Sequence, residues 1–307
     1  DGLSDIQTVE AHYGGVPLGI FLKDDGQGID AVAGDGIFSY VETMIGGKLG
    51  AGLYRLELVA TDAAGNIYYF YAAFLPERAI MLLKSTDGGD TWEEPKAVAP
   101  TIGSFTFPIP AMPRRLAWVY AACDADTSDG PFGGSVYVSW TDVTAPESLL
   151  PQDNHTAIRV AYSRDGGDTW AVTTPHSTED TNQVDRFNQW HAVDESGVVH
   201  VVYYDTRNST GRTGVDLYYT FSLDGAATWT PPARISAETS PSLSDGMEWG
   251  DYNGLAVLGD KVLPAWTDNR GGPPDQKEVV VADVENVTSS PTFLLVEPSA
   301  PAAVCQP

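Results

Sequence analysis

Short apolar runs recur along the whole chain, each closed within a few residues by Gly, Asp, Asn or Pro, and no stretch sustains a helical period. Val16 to Leu22, Gly36 to Glu42, Tyr54 to Ala60 and Ile67 to Phe74 read as strands. Gly52 to Asn66 alternates apolar and polar residues before closing on an Asp/Gly/Asn turn, the signature of a hairpin. Further strands are expected at Ile80 to Lys84, Leu116 to Ala122, Ala157 to Tyr162, Gln189 to Val193, Asp216 to Phe221 and Gly254 to Leu258. The pattern places the chain in the all-β class.

One short motif recurs three times: Ser85-Thr-Asp87-Gly-Gly89-Asp-Thr91-Trp92, Ser163-Arg-Asp165-Gly-Gly167-Asp-Thr169-Trp170 and Ser222-Leu-Asp224-Gly-Ala226-Ala-Thr228-Trp229. Each copy follows a strand, so each sits on the turn to the next. There Asp accepts turn amides, Gly supplies conformations denied to other residues, and Trp folds back onto the strands. A second repeat runs in phase, at Gly134 to Asp142, Val198 to Arg207 and Lys261 to Arg270, each a buried strand ending near Asp. The first motif resembles the Asp box of the sialidase, or BNR-repeat, superfamily. That resemblance implies a β-propeller of four-stranded blades in which the boxes are peripheral and structural.

Residues 1–76 differ in grammar. Asp24-Asp25-Gly26, Ala33-Gly-Asp-Gly36 and Thr61-Asp-Ala-Ala-Gly-Asn66 resemble a bacterial immunoglobulin-like domain. The expected organisation is therefore an immunoglobulin-like β-sandwich over 1–76, a boundary at Pro76, and an Asp-box propeller over 77–307. The resemblance implies six blades, whereas the remaining length holds about four or five at roughly 40 to 50 residues each. Blades centred on Tyr137, Val201 and Leu263 are nearly complete, but the first box has one clear strand before it. Irregular strands, a longer native chain, or closure by another copy in a homo-oligomer would each account for the shortfall.

Charge narrows the partners. Lysine and arginine number 17 against 42 acidic residues, a formal net charge of −25, which repels phosphate backbones and excludes nucleic acid. No apolar run reaches the roughly 20 residues that span a bilayer, so membrane insertion is not expected. The chain begins at Asp1 without a leader and carries sequons at Asn154, Asn208 and Asn286, which together read as a mature secreted or cell-surface glycoprotein. Cys123 and Cys305 permit one bridge, with two unpaired thiols as the alternative.

In a propeller the pocket lies where inner strands and their loops converge, which directs attention to Asp142, Asp205, Arg207, Asp268, Arg270, Tyr203, Tyr204 and the Glu248 to Tyr252 segment. Sialidase-type enzymes hold a substrate carboxylate with clustered arginines and use a Glu-activated Tyr as nucleophile and an Asp as acid. Carried over, the resemblance implies Arg186, Arg207 and Arg270 as the cluster, Tyr252 with Glu248 as the nucleophile pair and Asp205 as the acid. Two features oppose it. Asp-x-Arg at one phase of successive blades also serves as a scaffold ion pair. The family's aromatic-Arg-Ile-Pro signature is met only by Phe107-Pro108-Ile109-Pro110, with Pro in place of Arg and after the first box.

Carboxylates on glycine-rich loops suit calcium, and two sets stand out: Asp24, Asp25, Asp30 and Asp35, and Asp124, Asp126 and Asp129. The histidines show no zinc spacing. The expected function is a secreted sialidase-like propeller that binds glycans, with hydrolysis left open. A non-catalytic extracellular adhesion or assembly module is the alternative.

Overall fold

The computed structural model describes residues 9–13, 16–22, 59–62, 64–243, 245–259, 261–271 and 277–285. The chain divides into two compact units, Asp1–Leu56 and Glu57–Pro307. In the first, β1 (Val9–Tyr13) and β2 (Val16–Leu22) pair antiparallel, with a register shift between Ala11 and His12. The Gly36 to Glu42 run and the loop bearing Asp24, Asp25, Asp30 and Asp35 lie outside the described residues, and with them most of the expected sandwich.

The second unit is a succession of antiparallel sheets. β3 (Val59–Thr61), β4 (Ile67–Ala73), β5 (Ala79–Ser85) and β6 (Lys96–Pro100) form the first four-stranded sheet, in chain order. β7 (Thr106–Phe107) and β8 (Ala117–Trp118) form a short pair. Next come β9 (Ala122–Ala125), β10 (Val136–Val143), β11 (Thr156–Ser163) and β12 (Ala171–Thr173), then β13 (Arg186–Val193), β14 (Val199–Asp205), β15 (Asp216–Ser222) and β16 (Ala233–Arg234). The last sheet orders β17 (Gly254–Leu258), β18 (Lys261–Asp268) and β19 (Glu278–Val281), with β20 (Val284–Glu285) also on β18.

The sequence dictates the layering. β10 and β14, mostly apolar with a few polar residues, are buried at every position, because each lies mid-sheet with both faces covered, whereas β12 and β19 are largely exposed. The leading strands β3, β9, β13 and β17 neighbour one another in that order, so each sheet begins at a shared inner zone. Tyr68, Ile80, Leu82, Trp140, Phe187, Tyr204 and Trp249 belong to one buried apolar cluster spanning several sheets.

Two sequence expectations are corrected here. β4 and β5 pair without interruption from Ile67↔Ser85 to Ala73↔Ala79, across the position where Pro76 was expected to separate domains. Val59–Ala73 therefore belong to the sheet that carries the first Asp box, and three strands lead to that box rather than one. The β3–β4 hairpin is fixed by Asp62, whose Oδ1 accepts the Asn66 amide at 2.9 Å and whose Oδ2 accepts the Tyr68 hydroxyl at 2.9 Å. The second correction is at Leu116 to Ala122, which is not one strand: it breaks between β8 and β9, with Leu116 at φ 70°.

The three repeats share one hydrogen-bond pattern. The serine hydroxyl donates to the Asp carboxylate at 2.7, 2.8 and 2.8 Å and accepts the amide of Gly89, Gly167 or Ala226 at 2.8 Å in each. The Asp also accepts the threonine amide at 2.9, 2.9 and 2.8 Å. The amide taken by serine needs a left-handed residue, met by glycine twice and in the third copy by Ala226 at φ 67°. Neighbouring repeats are tied in series, since Lys84 Nζ donates to Gly166 O and an Arg164 guanidinium nitrogen to Asp224 O, both at 2.8 Å.

Candidate functional site

The arginines of the expected cluster are spent on carboxylates. Arg186, buried at the start of β13, donates through Nε to Asp205 Oδ2 at 2.7 Å and through Nη2 to Asp180 at 2.8 and 3.0 Å. Arg207 reaches the same Asp205 oxygen at 2.6 Å and stacks over Tyr218 at 4.1 Å. Arg270 is elsewhere, paired at 2.6 Å with Asp268 on its own segment. Arg186 and Arg207 thus share one carboxylate, and Arg270 answers another. Both oxygens of fully buried Asp205 are occupied, Oδ1 by the Arg207 amide at 2.8 Å, which leaves no face for proton transfer to a substrate. The Arg186–Asp205 pair lies within one sheet, between β13 and the end of β14, and the other two are local to their own segments, rather than between sheets. Asp142, Tyr203 and Tyr204 are likewise core residues: Asp142 accepts the Gly103 and Val143 amides at 2.9 Å, and Tyr204 donates to Thr267 O at 2.8 Å.

Tyr252 and Glu248 fall in a different setting. The segment around them is pinned from several sides. Asp245 Oδ1 accepts the Met247 and Glu248 amides at 3.0 Å, buried Trp249 donates to Ser240 Oγ at 2.8 Å, and Lys277 Nζ donates to Glu248 O at 2.6 Å. Glu248 sits at φ 36° with its side chain fully buried. Its Oε2 accepts the Arg115 amide at 3.0 Å, while Oε1 has no partner among the described residues.

Tyr252, on the same segment, belongs to a set of adjoining aromatic rings. Tyr252 stacks on Trp118 with centroids 5.8 Å apart and planes 21° apart, and meets Tyr120 edge-on at 5.3 Å and Trp190 at 6.5 Å. Beyond Trp118 the set continues to Phe105 at 5.8 Å and Phe74 at 5.6 Å. Tyr252 and Phe105 are 46% and 50% exposed, far more than rings held only for packing require. Tyr120 is anchored by its hydroxyl, which donates to Gln189 O at 2.8 Å, and its burial raises that phenol well above the ordinary range.

A bulge aims polar groups at the same place. The β13–β14 register shifts between Phe187 and Trp190, and Asn188 takes φ 49°, a left-handed conformation that asparagine tolerates better than most residues. Its carbonyl accepts Asn253 Nδ2 at 2.7 Å, which ties it to the residue after Tyr252. Both polar atoms of the Asn188 side chain, Asn253 Oδ1 and Trp118 Nε1 are buried without partners among the described residues. Leaving such groups unmet costs about 1–3 kcal/mol apiece, so their concentration beside exposed rings marks a place where something else supplies hydrogen bonds.

Charged groups here are largely paired. Arg115 pairs with Asp251, which holds the guanidinium above its ordinary value, and the guanidinium lies 5.7 Å from the Trp118 ring. Burial and then Asp251 push the Tyr252 phenol up, only partly offset by Arg115. Tyr252 makes no hydrogen bond to Glu248, whose one paired oxygen takes the Arg115 amide.

Of the second calcium set, Asp124 accepts the Ala125 and Val193 amides at 2.8 and 2.7 Å, Asp126 accepts Ser128 N at 2.8 Å, and Asp129 is exposed. Among the described residues no three His, Cys, Asp or Glu side chains gather as a metal would require. Burial raises the Cys123 thiol to about 12, and its expected partner Cys305 lies outside the described residues. A separate cleft of about 530 Å3, lined by Asn208, Thr210, Thr213, Thr239 and Pro241 among others, has no aromatic wall.

Sequence reasoning singled out Tyr252 and Glu248 but not Phe105, Asn188 and Asn253, nor Trp118, Tyr120 and Trp190, which read as ordinary strand residues. One signal was available: Asn188-Gln189 sets two amide side chains between Phe187 and Trp190, just where the expected Gln189 to Val193 strand begins.

No protein-family model and no curated protein matches the chain. Solved structures similar to it include a Hadza microbial sialidase (17% identity, TM-score 0.45, covering 75% of this chain and 43% of that one). An ulvan lyase of polysaccharide lyase family 25 is also similar (12%, 0.46, 75% and 52%), as is the α-L-arabinofuranosidase of Fusarium graminearum (16%, 0.45, 74% and 61%). The chain thus spans about half the length of these proteins.

Proposed function

We propose that the second unit binds glycans on the adjoining aromatic rings Phe105, Trp118, Tyr252 and Trp190, with the buried carboxylate of Glu248. The observation that carries this reading is Glu248 Oε1, fully buried and without a partner among the described residues, on the same short segment as half-exposed Tyr252, which stacks on Trp118. A sugar ring offers what such a place needs: an apolar face of C–H groups for the rings and hydroxyl donors at its rim for the unmet acceptors. The reading extends the propeller resemblance of the Asp-box repeats, with the inner zone of leading strands as the binding face.

Binding, rather than hydrolysis through a tyrosine nucleophile, fits the electrostatics. An activated phenol needs its proton drawn off, whereas the Tyr252 hydroxyl is raised and makes no hydrogen bond to Glu248. The sequence-expected acid, Asp205, is locked between two guanidinium groups.

A glycan array probed with the whole chain and with Tyr252→Ala tests the proposal. Retention of one or more glycans by the wild type, lost in the variant, is expected. No bound glycan, or binding indifferent to Tyr252, overturns it. Release of a reporter from glycosides, abolished by Tyr252→Phe, would restore the hydrolytic reading.

A further inference from the structure

We infer that the outward face of the last sheet is a docking surface for the chain's own C-terminal stretch, with Phe293-Leu294-Leu295-Val296 as the segment that covers it.

Strand pairing defines the face. Residues opposite one another in a ladder share a face, and β18 pairs Lys261 with Leu258, Leu263 with Ala256, Ala265 with Gly254 and Val281, and Thr267 with Val279. The alternate residues Val262 and Trp266 are buried in the core cluster, with Leu255, Val257, Val280 and Val284 packed against it. The first set therefore points away from the core. A solvated face carries polar side chains, yet this one presents Leu258 at 69%, Val279 at 76% and Val281 at 56% exposure, beside exposed Ala256 and half-buried Leu263 and Ala265. A sheet apolar on both faces has the pattern of one covered on both, as β10 and β14 are in their own sheets. β18 is their counterpart in the repeat but is fully buried only at alternate positions.

Reach, composition and charge favour residues 286–307 as the cover. Val284 and Glu285 pair with Val262 and Lys261, so the chain leaves the sheet at the Leu258 end of the face. Residues 286–292 extend to about 23 Å at roughly 3.3 Å each, close to the length of the eight-residue β18, so the run after them reaches most of the face. Phe293 to Val296 is an unbroken apolar run, bounded by Ser290-Pro-Thr292 and by Glu297-Pro298, and reads as one short strand. Glu297 is the only charged side chain in 286–307, so an apolar face does not repel the stretch. A second copy instead brings a net charge of −25 against the same charge. Attachment at Glu285 also gives the stretch an effective concentration in the millimolar range, which a second molecule lacks.

Hydrogen exchange of the whole chain, read by mass spectrometry, is the first test. Amides of 293–296 are expected to exchange at least about tenfold more slowly than in an isolated peptide of the same sequence; equal rates overturn the inference. A double-mutant cycle then locates the contact. Val279→Asp on the face, and Leu294→Asp with Leu295→Asp in the stretch, should each lower the melting temperature by about 3 °C or more, whereas a polar residue on an uncovered face shifts it little. Combined, they should lower it hardly further than either alone, because both break the same contact. Additive losses, or stretch variants that melt like the wild type, overturn the inference. Light scattering over a wide range of concentration should show a monomer, and a dimer that Val279→Asp dissociates would assign the face to a second copy instead. Where a variant fails to fold, the exchange of the wild-type chain decides. None of these outcomes touches glycan binding at Tyr252.

Discussion

Arg186 and Asp205 meet at 2.7 Å with neither side chain exposed to solvent, joining the start of β13 to the end of β14. The same carboxylate receives Arg207, and the two strands align Arg186 directly opposite Asp205. A pair withdrawn so completely holds its sheet in register, because removing one charge strands the other in a medium of low polarity. Asp205→Asn should therefore lower stability by about 3–5 kcal/mol in urea unfolding. Arg207→Ala, whose side chain is 30% exposed, should cost about 1 kcal/mol. Equal small effects would show that the cluster is free to serve a ligand.

Asn154 stands in a glycosylation sequon but is only 3% exposed. Its amide nitrogen donates to Pro108 O at 2.6 Å and Ser148 O at 2.8 Å, and its oxygen accepts Ser148 N at 2.7 Å. A glycan on that nitrogen is incompatible with these bonds. Protein made in a glycosylating host should carry no sugar at Asn154 by peptide mass mapping, and Asn154→Ala should cost about 2–4 kcal/mol.

The Asp-box repeats give the fold an acid limit. Hydrogen bonds from Thr91 and Thr169, first among several, hold Asp87 and Asp165 down to about 2, against 3.8 for a free side chain. Because the folded values are lowered, the contribution is complete above pH 4 and lost as pH falls toward 2. In a variant with Asn at 87, 165 and 224 the decline of stability between pH 4 and 2 should be shallower than in the wild type. Parallel declines would show that the boxes contribute no pH-linked stability.

Two histidines act over a higher range. Burial lowers His191 to about 4 and His176 to about 3, the latter helped by the Arg186 charge, from 6.5 in a free side chain. Below pH 6.5 the unfolded chain takes up protons that the folded one refuses, so stability should fall steadily between pH 6.5 and 4. Replacing both by Gln should flatten that part of the profile, and an unchanged slope would assign the effect to other groups.

The sequence made the sheets legible wherever the information was local. Ser85, Asp87 and Thr91 form a turn from within one short segment, and their recurrence at 163 and 222 marked the third strand of successive sheets. The boundary at Pro76 misled because a proline reads as an interruption, whereas here it lies in the connection between two paired strands. The site was half legible. Glu248 and Tyr252 sit in one acidic, aromatic segment, but the rings and amides that give them meaning come from β8, β13 and the loops between sheets. The ion pair of Arg186 with Asp205 was invisible for the same reason, since strand pairing decides that a guanidinium 19 residues away faces that carboxylate.

A crystal structure of the chain with its tightest-binding glycan tests the central claim most directly. The account predicts a sugar ring laid against Trp118 and Tyr252, with a hydroxyl within hydrogen-bond distance of Glu248 Oε1. Bare aromatic rings with only water on Glu248, or an oligosaccharide seated instead in the cleft beside Thr210 and Thr239, would contradict it.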